Sequence, residues 1–157
     1  MINIAAVIDN LGPSQKSFYL IKEFNKAASR QDVCVSVFHK RSSISVVPTM
    51  FSCKNISCLS AFHHTAISTN LEEASILLNS SNNSDKYLYL WDFDWLTSRI
   101  KFRDAMKILL DSRLKIIARS DEHADMIKNY CNKSPSGIID NWDIQSLINL
   151  TQEDANV

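Results

Sequence analysis

Glycine is nearly missing from this chain: among 157 residues there are two, Gly12 and Gly137. A dinucleotide fingerprint needs three closely spaced glycines, for a tight turn and for close approach of backbone to pyrophosphate. A P-loop needs two around a Lys-Ser/Thr ending. Neither can be built here, so no NAD, FAD or P-loop ATP binding is expected. An excess of either charge is also missing, with 17 basic against 17 acidic residues. Such a balance gives no global field to gather DNA, RNA or an anionic membrane, and net charge does not indicate a nucleic-acid partner. The amino terminus lacks the basic start and long apolar run of a signal peptide, because Asp9 ends the run early. No stretch reaches the roughly 18 apolar residues of a membrane span. The chain therefore reads as cytoplasmic. Its four cysteines, Cys34, Cys53, Cys58 and Cys131, are irregularly spaced, and reduced thiols are expected. No Gly-x-Ser-x-Gly nucleophile elbow occurs.

What is present is enough apolar material for a core, 45% of residues, with 22% charged. That fits one domain over 1–150 and a frayed tail over 151–157. Residues 3–9 form an apolar run stopped by Asp9-Asn10-Leu11-Gly12-Pro13, which predicts a buried strand and a turn. Ser14 is placed to cap a helix with Leu20, Ile21, Phe24, Ala27 and Ala28 on one face. Val33, Val35 and Val37 alternate as in a strand. Across 40–69 the pattern predicts short strands at Ile44–Val47, stopped by Pro48, and at Ile56–Phe62. Asn70-Leu71-Glu72-Glu73 is a capping box opening a helix through Leu78.

Lys86 to Trp91 is apolar on both faces, as a central parallel strand requires. A helix is predicted over about 98 to 111 with Phe102, Met106, Leu109 and Leu110 inward, then a strand over Leu114 to Ala118. Ser120 caps a helix with Ala124, Ile127 and Cys131 as its stripe. A short strand at Ser136 to Ile139 and a helix from Asp143 to about Leu150 close the domain. Strands alternating with helices predict a three-layer, Rossmann-like α/β domain with a mainly parallel sheet of about six strands.

In such sheets ligands bind outside the carboxyl ends of the strands. Three polar clusters fall there. The first holds Asn10, Gly12, Ser14 and Lys16, where helix N–H groups and the Lys16 charge suit a phosphate or sugar hydroxyl. The second is Trp91-Asp92-Phe93-Asp94-Trp95, whose paired carboxylates suit a divalent metal or acid and base roles. The third holds Arg119, Ser120, Glu122 and His123, with His123 a base or a sugar ligand. Asp92, Asp94 and His123 are the catalytic candidates. Asn10, Gly12, Ser14, Lys16, Trp91, Arg119, Ser120 and Glu122 are the binding candidates. Cys53, Cys58, His63 and His64 have zinc-ligand chemistry, but the spacing is unlike that of structural zinc sites, and no metal ligand is assigned.

Asp-x-Asp after an apolar strand resembles the metal-dependent glycosyltransferases of the single-Rossmann type. Dehalogenase-type phosphatases share it but continue with small residues, where Trp95-Leu96 stands here. The run Ile116-Ile117-Ala118-Arg119-Ser120-Asp121-Glu122-His123-Ala124-Asp125-Met126-Ile127, leading to Gly137-Ile138-Ile139-Asp140-Asn141-Trp142-Asp143, resembles the latter part of the N-terminal, acceptor-side domain of GT-B glycosyltransferases. Tyr89-Leu90-Trp91-Asp92-Phe93-Asp94-Trp95-Leu96 is similar to a segment of glycosyltransferase-like proteins of large tailed phages. The resemblance spans most of 1–150. It implies that Gly12 and its neighbours, Asp92, Ser120 and His123 face an acceptor or an interdomain cleft. It also implies a sugar or nucleotide-sugar ligand and a protein partner supplying the second, donor-binding domain. The leading expectation is thus a GT-B-like half that binds a sugar, nucleotide or partner and is inactive alone. The alternatives are a small metal-dependent glycosyltransferase using Asp92 and Asp94, and a non-catalytic assembly subunit.

Overall fold

Seven strands, all parallel, make one sheet in the order β3-β2-β1-β4-β5-β6-β7. The computed structural model describes residues 1–81, 85–93 and 100–154. In chain order the elements are β1 (Ile2–Ile8), α1 (Gln15–Ala28), β2 (Val33–His39), β3 (Ser52–Asn55), a 3₁₀ helix (Ile56–Ala61), β4 (Thr65–Ser68), α2 (Leu71–Asn79), β5 (Lys86–Tyr89), α3 (Phe102–Leu109), β6 (Leu114–Ala118), α4 (Asp121–Cys131), β7 (Gly137–Ile138) and α5 (Ile144–Asp154). The chain builds outward from β1 to β3, returns to the middle, and builds outward the other way from β4 to β7. The order therefore reverses between β1 and β4, where a doubly wound sheet opens a crevice.

The period-2 alternation of the strands sorts the core into two layers. Ile4, Ala6, Ile8, Tyr87, Tyr89 and Ile117 face α1 and α5, among Leu20, Phe24, Trp142 and Leu147. Leu88, Leu90, Ile116 and Ala118 face the other way, against Leu71 and Ala74 of α2, Ala105 and Leu109 of α3, and Ile127 of α4. Ala5, Val7, Phe38 and Ala66 share that second side with Leu77. Burial on both faces explains why the central strands are almost uniformly apolar. The three-layer, Rossmann-like α/β architecture follows directly.

The predicted caps form as expected. Ser14 Oγ accepts from Ser17 N at 3.0 Å, Asn70 Oδ1 from Glu73 N at 2.9 Å, Ser120 Oγ from His123 N at 3.2 Å and Asp143 Oδ2 from Ser146 N at 2.9 Å. Each satisfies an orphan N–H of a first turn. Before α5 the chain makes a left-handed corner, with φ of 45° at Asn141 and 64° at Trp142. A bulky residue there is strained. It is held by full burial of the Trp142 indole against Tyr89 and Phe24, and by the Tyr89 hydroxyl, which donates to Ile139 O at 2.5 Å.

The structure departs from the sequence reading mainly over 40–69. Ile44–Val47 is not a strand; Ile44 is 91% exposed in a loop that Asn25 fastens through Pro48 O and Met50 N. The strand of that region is β3, a wholly exposed edge strand of polar residues, which carries no hydrophobic alternation. In place of the Ile56–Phe62 strand stands the 3₁₀ helix Ile56–Ala61, capped by Phe62. Its apolar residues Ile56, Leu59 and Phe62 recur every third position, the 3₁₀ period, and pack together under the sheet. The following β4 is only four residues long, and the sequence reading passed over it.

Over the predicted 98–111 helix, the described helical part is Phe102–Leu109. Ala105 and Leu109 point inward, whereas Phe102 and Leu110 are 64% and 52% exposed. Helix α5 continues past Leu150 to Asp154, with Thr151 buried and its hydroxyl donating to Ile148 O at 2.9 Å. All four cysteines are free thiols, and only Cys131 is buried. Among the described residues no helix is long and apolar enough to cross a membrane.

Candidate functional site

At the reversal between β1 and β4 the carboxyl ends of β1, β2 and β4 and the first turns of α1 and α2 surround a cleft of about 930 Å³. Its back wall is the loop after β1. Asp9 ends that strand and is tied down: Arg41 Nε donates to Oδ1 at 2.9 Å, Arg41 Nη2 bonds Oδ2, and Asn10 Nδ2 donates to Oδ2 at 2.7 Å. The Arg41 guanidinium accordingly holds the Asp9 carboxyl below the usual carboxylate range. Asn10 Oδ1 turns back to accept from Gly12 N at 2.8 Å. A Cβ on Gly12 would lie 2.8 Å from that same oxygen, so a larger residue there would push the Asn10 carboxamide out of this bond. Leu11 N donates to Ser43 Oγ at 3.1 Å. These bonds engage the N–H groups of Leu11 and Gly12. The N–H groups of Gln15 and Lys16, in the first turn of α1, have no intrahelical acceptor and carry the positive end of the helix dipole.

Three cations line the cleft, Lys16, Lys40 and Arg41, against the carboxylates of Asp9 and Glu72. Lys40 is ion-paired with Glu72 and Arg41 with Asp9. Lys16 is in no ion pair among the described residues. Beneath the cleft, in the first turn of α2, Glu73 is 1% exposed. Thr69 Oγ1 donates to its Oε2 at 3.0 Å. Burial pushes the Glu73 carboxyl up to about 7, opposed by the Lys16 charge and by hydrogen bonds from Thr69 and Asn70.

A second, smaller cavity of about 270 Å³ opens beyond β5 and β6, lined by Trp91, Arg119, Ser120, His123 and Asp140. The Arg119 guanidinium lies over the Trp91 ring, 3.9 Å from its centroid, and Nη1 donates to Trp91 O at 3.3 Å. Arg119 N donates to His123 Nδ1 at 3.2 Å, so the neutral imidazole keeps its proton on Nε2. Burial and the Arg119 charge lower the His123 pKa, against the pull of Asp92.

The predicted clusters thus separate. Asn10, Gly12, Ser14 and Lys16 line the first cleft, and Trp91, Arg119, Ser120 and His123 the second, with no lining residue in common. The reason is topological: the first cleft lies at the adjacent carboxyl ends of β1 and β4, and the second beyond the outer strands β5 and β6 on the far side of β4. Asp92 and Glu122 are exposed and line neither, and Asp94 lies outside the described residues. Among the described residues no three His, Cys, Asp or Glu side chains come together to hold a metal ion. This includes Cys53, Cys58, His63 and His64, all exposed.

Sequence reasoning missed Lys40 and Arg41, although a basic pair just after a predicted strand marks a carboxyl-end position. It also missed Glu73 as a buried carboxyl, read only as part of a cap, and Asp140 as a cavity residue. Comparison with family models, with curated proteins and with solved structures returned no match to this chain.

Proposed function

We propose that this chain is a glycosyltransferase-like, GT-B N-terminal-half domain that binds a sugar phosphate or nucleotide in the cleft between β1 and β4 and is inactive alone. The observation that carries the reading is that cleft, at the reversal of strand order, with Lys16, in no ion pair among the described residues, beside the open first turn of α1. The lining supplies one more cation than carboxylate, and its two acids are already engaged. A phosphate group therefore meets a donor-rich wall with a small positive excess. Polar groups such as Asn70 and Ser14 suit ribose or hexose hydroxyls. Binding rather than chemistry is favoured because the carboxyl poised near neutrality, Glu73, is buried and bonded to Thr69 rather than lining the cleft.

The test is thermal stability against UDP-sugars, UDP and glucose 1-phosphate, with and without Mn²⁺. A ligand at a hundred times its Kd stabilises by about 2.7 kcal/mol. A shift is expected without metal and should be largely lost in Lys16→Ala. A metal-dependent shift that disappears in Asp92→Asn would instead establish the metal-using transferase. No shift with any of these compounds would overturn the proposal.

A further inference from the structure

The cavity beside Trp91 has an unsatisfied cation that the proposed cleft does not use. Arg119 is fixed on one face by the Trp91 ring and at Nη1 by Trp91 O. Its Nε is buried and has no hydrogen-bond partner, and Arg119 forms no ion pair among the described residues. In a guanidinium, Nε–H and one Nη2–H point the same way and form the fork that takes two oxygens of one carboxylate. Nη2 makes no hydrogen bond among the described residues, so this edge of the guanidinium has no partner there. A buried N–H with no acceptor is destabilising, so natural structures rarely keep one without a reason. His123, bonded to backbone through Nδ1, offers Nε2–H as a further donor in the same cavity. Asp140 supplies an acceptor within the same lining; it accepts from the Asn141 carboxamide at 3.0 Å and is in no ion pair among the described residues.

The cavity's charge and size narrow the class. Asp140 in the lining already places a carboxylate beside Arg119 and His123, so a phosphate dianion is repelled more strongly than a monoanion. About 270 Å³ is below the usual range for drug-sized ligands. It suits a small molecule.

We infer that the Trp91–Arg119–His123–Asp140 cavity is a binding site for a small carboxylate that carries an adjacent hydrogen-bond donor, an α-hydroxy or α-amino acid. The carboxylate sits on the Arg119 fork and the His123 Nε2–H. The adjacent hydroxyl or ammonium faces Asp140. Binding satisfies the orphan Nε–H with a charge-assisted bond, and the Trp91 ring keeps the guanidinium plane oriented for it. The site is independent of the cleft between β1 and β4.

The experiment is NMR titration of ¹⁵N-labelled protein, following the arginine Nε–H resonances, with L-lactate, L-alanine, propionate and inorganic phosphate as probes. The Arg119 signal is assigned from its loss in Arg119→Lys. Lactate or alanine should move it saturably. Propionate, which lacks the second donor, should bind several-fold more weakly, and phosphate more weakly still. Arg119→Lys, read from backbone amides around His123, should weaken binding about ten-fold by removing the fork while keeping the charge. Asp140→Asn should narrow the preference for lactate over propionate. The proposal is overturned if none of the carboxylates gives a saturable shift up to tens of millimolar, or if phosphate binds more tightly than they do. It also fails if Arg119→Lys binds as well as the parent protein. It fails, too, if Asp140→Asn alone moves the Arg119 Nε–H resonance as far as a ligand does, because Asp140 would then be the fork's own partner.

Discussion

Replacing Glu73 by Gln should remove a loss of stability that the parent protein suffers as pH rises through the neutral range. Glu73 is buried in the first turn of α2, and burial raises its carboxyl from 4.5 to about 7 in the folded protein. In the unfolded chain it titrates near its ordinary value. Between those two pH values the folded state binds the proton and the unfolded state has released it. Unfolding is then favoured progressively as pH rises. The stability is thus fully present below about 4.5 and lost by the time pH passes 7. At about 1.4 kcal/mol per tenfold change in proton affinity, the loss is roughly 3 kcal/mol. That is a substantial fraction of the 5–15 kcal/mol typical of a whole domain.

Glutamine is neutral at every pH and can still accept from Thr69 Oγ1. Glu73→Gln should therefore be close to the parent protein at pH 5 and more stable by about 2 kcal/mol at pH 8. The assay is urea unfolding of both proteins at the two pH values. His123 contributes with the opposite sign, since its folded pKa is lowered, but it is common to both proteins and cancels in the difference. Equal destabilisation by Glu73→Gln at pH 5 and pH 8 would refute the reasoning, because the carboxyl would then be a structural acceptor that stays ionised throughout.

Two further predictions concern the scaffold. Tyr89→Phe leaves the buried Ile139 carbonyl without the hydroxyl that donates to it. It should cost about 2 kcal/mol, seen as a fall of several degrees in melting temperature. In the parent protein burial pushes that phenol up to about 12, so ultraviolet titration should find one tyrosine ionising late. Asp111 accepts from Arg113 N, Nε and Nη2 at 2.9, 3.0 and 2.7 Å, and these bonds hold its carboxyl at about 2. A depressed folded pKa stabilises above the ordinary carboxylate value and is lost as pH falls from about 4 to 2. Arg113 is mostly exposed, so solvent screening limits the effect to about 1 kcal/mol. Asp111→Asn should match that loss at pH 5 and cost nothing more at pH 2.

Local patterns that do not depend on distant residues were legible in the sequence. Ser14, Asn70, Ser120 and Asp143 cap their helices because a hydroxyl, carboxamide or carboxylate placed before an apolar period meets its own backbone three residues on. The two-sided apolar run from Lys86 marked β5 as central, and alternation of strand and helix fixed the parallel, three-layer class. The scarcity of glycine made Gly12 stand out as a turn between β1 and α1.

The elements that take their stability from neighbours were not legible. The exposed edge strand β3 exists because β2 offers it a ladder, not because its Ser-Cys-Lys-Asn sequence prefers one. The 3₁₀ helix was read as a strand because a period of three over six residues resembles an apolar run. Tertiary structure alone decided which polar clusters meet. Strand order carried Asn10 to Lys16 to one side of the reversal and Arg119 to His123 to the other, and it brought Lys40, Arg41 and Asn70 to the first cleft from segments more than 20 residues away. It also decided the charge states. Whether Glu73 is an ordinary surface acid or a carboxyl poised near neutrality, and whether the Arg119 fork is paired, depends on what packs around each group, and sequence spacing does not encode that desolvation.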